Sequence, residues 1–407
     1  MNQLNVAMAV IAATILAIGL VSQAIKKTPL QEPLVAVLVG IAAGPAVAAW
    51  LDVGGWGDEL RIMEEAARLT LAVALMAVAL RLSRSDLKRF WRPAALLITL
   101  GMVGMWAAAT ALVWWILPVP LWLAALIGAA ITPTDPVVAS AIVTGPFAKS
   151  HLPERVRATL SLESGANDGL AYLIVMLPIL LHHAPADAWS RWLSESVLVG
   201  VVVAVAIGAA LGIAAARLLH WARQRNLIES YSYLSFTVAL SLFTLGAAAL
   251  VRSDALISVF VAGLAFDFFA DTGEKHEEES VQETISKLFT LPMFVIFGAA
   301  LPWADWARLG WPLLALAVLV LLARRIPVVG LLAPALAPIG RRDAAFLAWF
   351  GPIGVAAVYY ATFAVRHTGE HLIWHAVSAV VLSSIIAHGV SAAPLTRLYA
   401  GRERQER

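Results

Sequence analysis

Apolar residues in this chain come in long uninterrupted stretches, not at the spacing of a half-buried helix or strand. Windows such as Val6–Ile25, Ala94–Leu117 and Val197–Ala216 hold no charge. Each is about the 20 residues that carry an α-helix across the hydrocarbon core of a bilayer. None alternates residue by residue, as the strands of a membrane barrel do. The pattern predicts an all-α polytopic membrane protein with about 13 transmembrane helices. The spans are expected at 5–25, 33–51, 64–82, 93–117, 121–145, 154–182, 194–218, 228–251, 254–270, 285–302, 310–333, 343–365 and 372–396. Recurrent small residues, as in Gly40 to Gly44, suit close helix packing in lipid.

The polar residues between spans set an orientation. With the amino terminus outside, 21 lysines and arginines fall in inside segments and 6 in outside ones. The positive-inside rule therefore places the carboxyl terminus, including a short tail at 399–407, in the cytoplasm of a cell bounded by this plasma or inner membrane. The first span follows MNQLN directly, without a basic leader, and is expected to be a retained helix. One inside segment, Asp271 to Glu283, is acidic and contains His276. It reads as a solvated linker, with a charged element near an entrance as the alternative.

Composition sharpens this picture at three points. Only 14% of residues are charged, against about 25% in soluble domains. The net charge of +2 reflects cytoplasmic anchors, since no basic patch interleaved with aromatics suggests a nucleic-acid partner. The absence of cysteine excludes disulfides, thiol chemistry and zinc–cysteine sites.

Against this apolar background a few ionisable residues stand at membrane depth: Asp135, Glu163, Asp168 and the pair Arg324 and Arg325. Each such charge costs on the order of 2.5–3.5 kcal/mol at the bilayer centre on insertion scales. They are expected to face a bundle interior or a water-filled cavity, to pair, and to mark an ion pathway. In SLESGANDGLAY, Glu163 and Asn167 are four residues apart, as are Ser164 and Asp168. On a helix these four fall on adjacent faces, giving two carboxylates, an amide and a hydroxyl along one side. Such hard oxygen donors suit a hard cation, and the few charges suit a monovalent one.

Two interruptions frame that face. In ITPTDPVVAS, Pro133 and Pro136 each lack an amide donor and disturb the helix beside Thr134 and Asp135. An ordinary turn here would leave the fifth span too short to cross. In WFGPIGVAAVYYA, Gly351, Pro352 and Gly354 interrupt the twelfth span. Broken backbone at membrane depth is tolerated where it lines a cavity, and paired breaks in corresponding positions point to a transporter site. The two breaks lie seven spans apart. Seven is odd, so the pattern predicts two inverted repeats of six around a linker helix.

ITPTDP followed by ESGANDG resembles the NhaP-type branch of the monovalent cation/proton antiporters, which includes the animal sodium/proton exchangers. The resemblance extends over the membrane region in span count, orientation and motif order. It implies a homodimer, with a dimerisation subdomain at approximately 1–82 and 194–270 and a core subdomain at approximately 93–182 and 285–398, each in part. It implies that Asp168 binds the ion or the proton, and that Ser164, Thr134 and Asp135 coordinate the ion or shape its site. Asn167 matches the neutral member of an Asn–Asp pair, which goes with electroneutral exchange. Glu163 is implied to pair with an arginine of the eleventh span and so steady Asn167. The register favours Arg325, with Arg324 the alternative. The chain departs from many members at Ala166, where they carry an aromatic, and at Ile353, where they carry an arginine.

The expected function is exchange of a monovalent cation for a proton by alternating access, in pH homeostasis, with no cofactor. Sodium comes first, with potassium or lithium as alternatives. The two ions compete for one carboxylate: ionised Asp168 holds a cation, protonated Asp168 does not. Rival readings are a sodium-coupled symporter of an organic anion and a cation channel. A channel would carry repeated pore loops. An intramembrane aspartyl protease needs a Gly-x-Gly-Asp setting, whereas Asp168 follows Gly165–Ala166–Asn167, so no enzymatic activity is expected.

Overall fold

The computed structural model describes residues 2–25, 28, 30–227, 232–270 and 275–405. These residues form helices joined by short turns, with no strand among them. In chain order they are α1 (Asn2–Ile25), α2 (Glu32–Ala43), α3 (Glu59–Arg81), α4 (Arg84–Leu96), α5 (Met102–Ile116), α6 (Leu121–Ala130), α7 (Pro136–Val143), α8 (Gly145–His151), α9 (Glu154–His183) and α10 (Ala188–Arg191). There follow α11 (Ala204–Gln224), α12 (Ser232–Leu250), α13 (Ala255–Ala270), α14 (Lys275–Ala299), α15 (Trp303–Leu309), α16 (Trp311–Ala323), α17 (Ile326–Leu332), α18 (Arg341–Trp349), α19 (Val355–Thr368) and α20 (Leu372–Gln405). Wider π-helical turns at Leu97–Gly101 and Trp192–Val203 continue α4 into α5 and α10 into α11.

Every predicted span contains helix among the described residues, but not every span is one helix, and the second, 33–51, is helical only as far as Ala43. Among the described residues, six helical segments are by themselves long and apolar enough to cross a bilayer. Some of the others are short helices, and some are broken. The fifth span is α6 and α7, separated by Ile131 to Asp135, and the twelfth is α18 and α19, separated by Phe350 to Gly354. The eleventh span carries a local break at Arg324–Arg325 between α16 and α17, where Pro327 cannot donate an amide to a continuing helix, yet Trp311–Ala335 is still long and apolar enough to cross. One expectation is corrected. The acidic segment is not all linker, since its backbone from Lys275 onward forms the first turns of α14. Its glutamate-rich composition favours helix. Residues 271–274, and all side chains of 271–284 including His276, lie outside the described residues.

The bundle is turned outward for lipid. Leu20, Leu100, Val103, Trp115, Trp311 and Leu331 stand exposed on it, while buried polar groups gather around the breaks. α2 and α14 approach closely through glycines. A Cβ on Gly298 would strike the backbone carbonyl of Val37, and one on Gly40 that of Val295. Small residues allow this contact where lipid offers no hydrophobic drive. Gly298→Leu should therefore force the two helices apart, at a cost of about 1–3 kcal/mol typical of overpacking. A lowered melting temperature in detergent, with Gly246→Ala (a glycine with open space around it) unchanged, is the expected result.

Candidate ion-binding site

The site begins with the two breaks, which cross. Asp135 is the residue before α7, and its Oδ1 accepts the amides of Val137 (2.6 Å) and Val138 (3.4 Å). Its Oδ2 accepts the amide of Val355, the first residue of α19. Its own amide donates to the Pro352 carbonyl at 2.8 Å. One carboxylate thus closes the amino-terminal ends of both half-helices, where unsatisfied amides concentrate positive charge. Gly354 is required beside it, since a Cβ there would strike the Asp135 carboxylate. Both oxygens of Asp135 are taken up by backbone amides, so its main work here is structural.

The opposite ends of the broken helices expose carbonyls, and Arg324 serves those. Its Nη1 donates to the carbonyls of Ile131, Thr132 (2.8 Å) and Pro133 (3.4 Å), and its Nη2 to that of Gly351 (2.6 Å). Arg325 turns the other way. Its two terminal nitrogens meet the two carboxylate oxygens of Glu163, with Nη2–Oε2 at 2.8 Å, and its Nε donates to the Leu347 carbonyl at 2.8 Å. All three side chains are buried. A Cβ at Gly351 would occupy the space of the Arg325 guanidinium. Arg324 and Arg325 form the break between α16 and α17 and point to different partners.

The remaining peptides of the second break are met from α20. The Ile353 amide donates to Ser384 Oγ at 2.7 Å. His388 lies between Ser384 Oγ (3.1 Å) and the Trp349 carbonyl (3.0 Å). His388 Nδ1 also lies 2.9 Å from the Ser384 carbonyl, so a neutral ring, with one N–H, can donate to only one of the two carbonyls it faces. Sequence reasoning missed Ser384 and His388. An SxxxH spacing on a predicted helix was the available signal, and nothing local tied it to a break 31 residues away.

Asn167 and Asp168 sit on α9, packed against the crossing. Asn167 Nδ2 donates to Thr134 Oγ1 at 2.7 Å, and its Oδ1 accepts the Thr134 amide at 3.3 Å. Its side chain is held by Thr134 and not by the Glu163–Arg325 pair. Ser164 is buried one turn before Asp168, with a long hydroxyl contact of 3.4 Å to the Ser161 carbonyl. Asp168 is fully buried, within electrostatic reach of Asp135, and neither of its oxygens meets a protein donor. Tyr360 of α19, which sequence reasoning also missed, donates its hydroxyl to the backbone carbonyls of Asp168 (2.5 Å) and Gly169 (3.3 Å). Pro133 and Pro136 flank Thr134 and Asp135 in the first break, and Pro352 lies in the second. The geometry therefore separates the predicted residues into two sets. Asp135, Arg324, Glu163 and Arg325 hold the breaks, whereas neither carboxylate oxygen of Asp168 meets a protein donor.

Asp135→Asn tests this division. An amide keeps one acceptor oxygen but turns its other atom into a donor facing an amide. It can cap α7 or α19, not both. We expect a loss of about 1–2 kcal/mol, the scale of a helix cap, seen as a lower melting temperature in detergent.

Comparison with known proteins places this geometry. Residues 10–398 match the family model described as "Sodium/hydrogen exchanger, transmembrane". A probable Na+/H+ antiporter of Schizosaccharomyces pombe is 33% identical over 401 residues, covering 90% of this chain and 53% of its own length. Na+/H+ antiporter 2 of Zygosaccharomyces rouxii is 31% identical over 395 residues, covering 89% of this chain and 49% of its own. The chain thus spans about half the length of these curated relatives. The solved structure of the sodium proton antiporter MjNhaP1 from Methanocaldococcus jannaschii at pH 8 shares the fold, with a TM-score of 0.77, 18% identity and coverage of 98% of each chain.

Proposed function

We propose, from the premise that this chain belongs to the sodium/hydrogen exchanger family, that it is a secondary active antiporter exchanging a monovalent cation for a proton at Asp168. The observation that carries the reading is the Asp168 carboxylate, fully buried and without a protein donor beside the crossed breaks. A buried charge with no partner is costly. A proton or a desolvated cation relieves that cost, and each excludes the other. Binding either one neutralises the carboxylate and permits the swing that exposes the site to the other side of the membrane. A gradient of one ion then drives movement of the other.

Sodium is the first expected cation, as the names of the yeast relatives indicate for those proteins. Potassium or lithium would use the same oxygen donors, and selection among them depends on cavity size and rigidity. Asn167 is uncharged and Asp135 is engaged with three amides, leaving one titrating carboxylate. This supports one cation per proton, hence electroneutral exchange. The proposed setting is a homodimer in the plasma or inner membrane, amino terminus outside and carboxyl terminus in the cytoplasm. Thirteen crossings and the division into core and dimerisation subdomains belong to the same reading.

The test is a cation series added outside proteoliposomes that carry an inside-acid proton gradient, read by dequenching of a pH-sensitive dye. Sodium, lithium or potassium should collapse the gradient in a saturable way. Uptake of an organic anion without proton movement would point to a symporter instead. Exchange that responds to membrane potential would count against the one-for-one ratio.

A further inference from the structure

A cavity runs between α2, α3 and α14 on one side and α7 on the other. Its deep end is lined by Pro136, adjacent to Asp135, and by Ser140. Its mouth is lined by Glu32, Arg81 and Lys287, with Thr290 on the wall. The mouth lies where α2 and α14 begin and α3 ends, the end that the positive loops assign to the cytoplasm. Among the residues lining it, Glu32 is the one carboxylate. It occupies the first turn of α2, where the helix terminus favours negative charge. Lys287 Nζ lies 3.0 Å from its Oε1 and 2.9 Å from its Oε2.

This ion pair is not needed to hold its two helices together. Gly40 and Gly298 already bring α2 and α14 into backbone contact further along. Nor is the pair sealed in: the Lys287 side chain is 36% exposed, and a long flexible stem lets its ammonium move aside. A cation travelling from the mouth to the crossing passes Glu32 before it reaches any other carboxylate of the cavity wall.

We propose that the Glu32–Lys287 pair is a charge filter at the mouth of this cavity. Glu32 is the carboxylate that a monovalent cation meets among the described residues lining the cavity, and Lys287 is the cation it displaces. The inference rests on the antiport reading and adds to it the residues that set apparent cation affinity from one face. Removing either partner has opposite electrostatic consequences. Lys287→Met leaves Glu32 free to attract cations. Glu32→Gln leaves a positive ammonium in the path.

The experiment compares everted and right-side-out membrane vesicles, measuring the cation KM for proton exchange at each face. At the cytoplasmic face, Lys287→Met should lower KM and Glu32→Gln should raise it, each by about three- to tenfold, as expected for one charge acting near the surface. The double variant should return close to the unaltered protein. The maximal rate and the KM at the other face should stay unchanged. Both shifts should shrink when choline chloride rises to about 0.15 M, where screening acts over about 8 Å. A merely structural bridge would move both single variants in the same direction and would not respond to salt. Shifts of the same sign, equal shifts at both faces, or no shift overturn the proposal. Absence of any cation-driven proton signal in the unaltered protein would instead overturn the antiport reading, and this one with it.

Discussion

Asp168→Asn is expected to abolish cation-driven proton release from vesicles while leaving the protein folded. The substitution preserves shape and removes the charge. Most buried carboxylates accept hydrogen bonds that asparagine would lose, but neither oxygen of Asp168 meets a protein donor. The folded state therefore sacrifices no acceptor bond and is relieved of a buried charge that other groups do not offset. The melting temperature in detergent should stay level or rise. Exchange should fall by about a hundredfold or more, which corresponds to about 2.8 kcal/mol or more of lost ion binding. A second readout separates binding from turnover. Added sodium should raise the melting temperature of the unaltered protein, by mass action on the folded state, and should not do so in Asp168→Asn. Normal exchange in the variant would sink the assignment of Asp168.

The second large effect belongs to Glu163 and Arg325, and it is one of stability. Either residue alone would be an unpaired charge among apolar side chains. Together they form a two-point pair, and the third guanidinium donor reaches Leu347. Removing one partner of a buried pair costs about 3–5 kcal/mol, because the other charge stays behind. Glu163→Gln and Arg325→Met should each lower the melting temperature sharply and reduce the amount of monodisperse protein after solubilisation. The double variant should recover much of the loss, since replacing both charges removes the stranded one. A double variant as unstable as the sum of the two single ones would mean that each residue acts through separate contacts. Arg324 gives an internal comparison: its partners are backbone carbonyls, so no acidic substitution partner can rescue its loss.

Much of the architecture could be read from local chemistry. Charge-free runs marked the helices, and prolines with glycines marked the breaks, because each of those residues has a local conformational consequence. Asp135 announced itself as a cap by standing just before Pro136. The acidic segment before α14 looked like a linker because hydropathy registers charge and not helix propensity. Tyr360, Ser384 and His388 could not be assigned at all. Their roles depend on meeting Asp168, Ile353 and Trp349 across the bundle, and a hydroxyl or imidazole on an apolar helix has no local sign of its partner. The same holds for Asp254, buried before α13 with its Oδ1 accepting the Ile257 amide at 2.7 Å, and for Glu64, buried and paired with Arg366. Both were passed over because they fell near expected span ends.

The crossing also sets a timetable for biogenesis. Asp135 meets the Val355 amide 220 positions later, and Glu163 meets Arg325 162 positions later. At ribosomal speeds of about 5–20 residues per second, the first partner waits roughly 10–45 s for the second. During that interval the early half of the chain has entered the membrane with its acidic side chains unmatched. Until α17 to α19 emerge, these carboxylates lack the partners that hold them in the folded chain. Chains halted between α13 and α16 should consequently be held by membrane chaperones or degraded, while chains released after α19 should escape both. The long-range closure that steadies the folded chain is thus expected to act as a checkpoint in its synthesis.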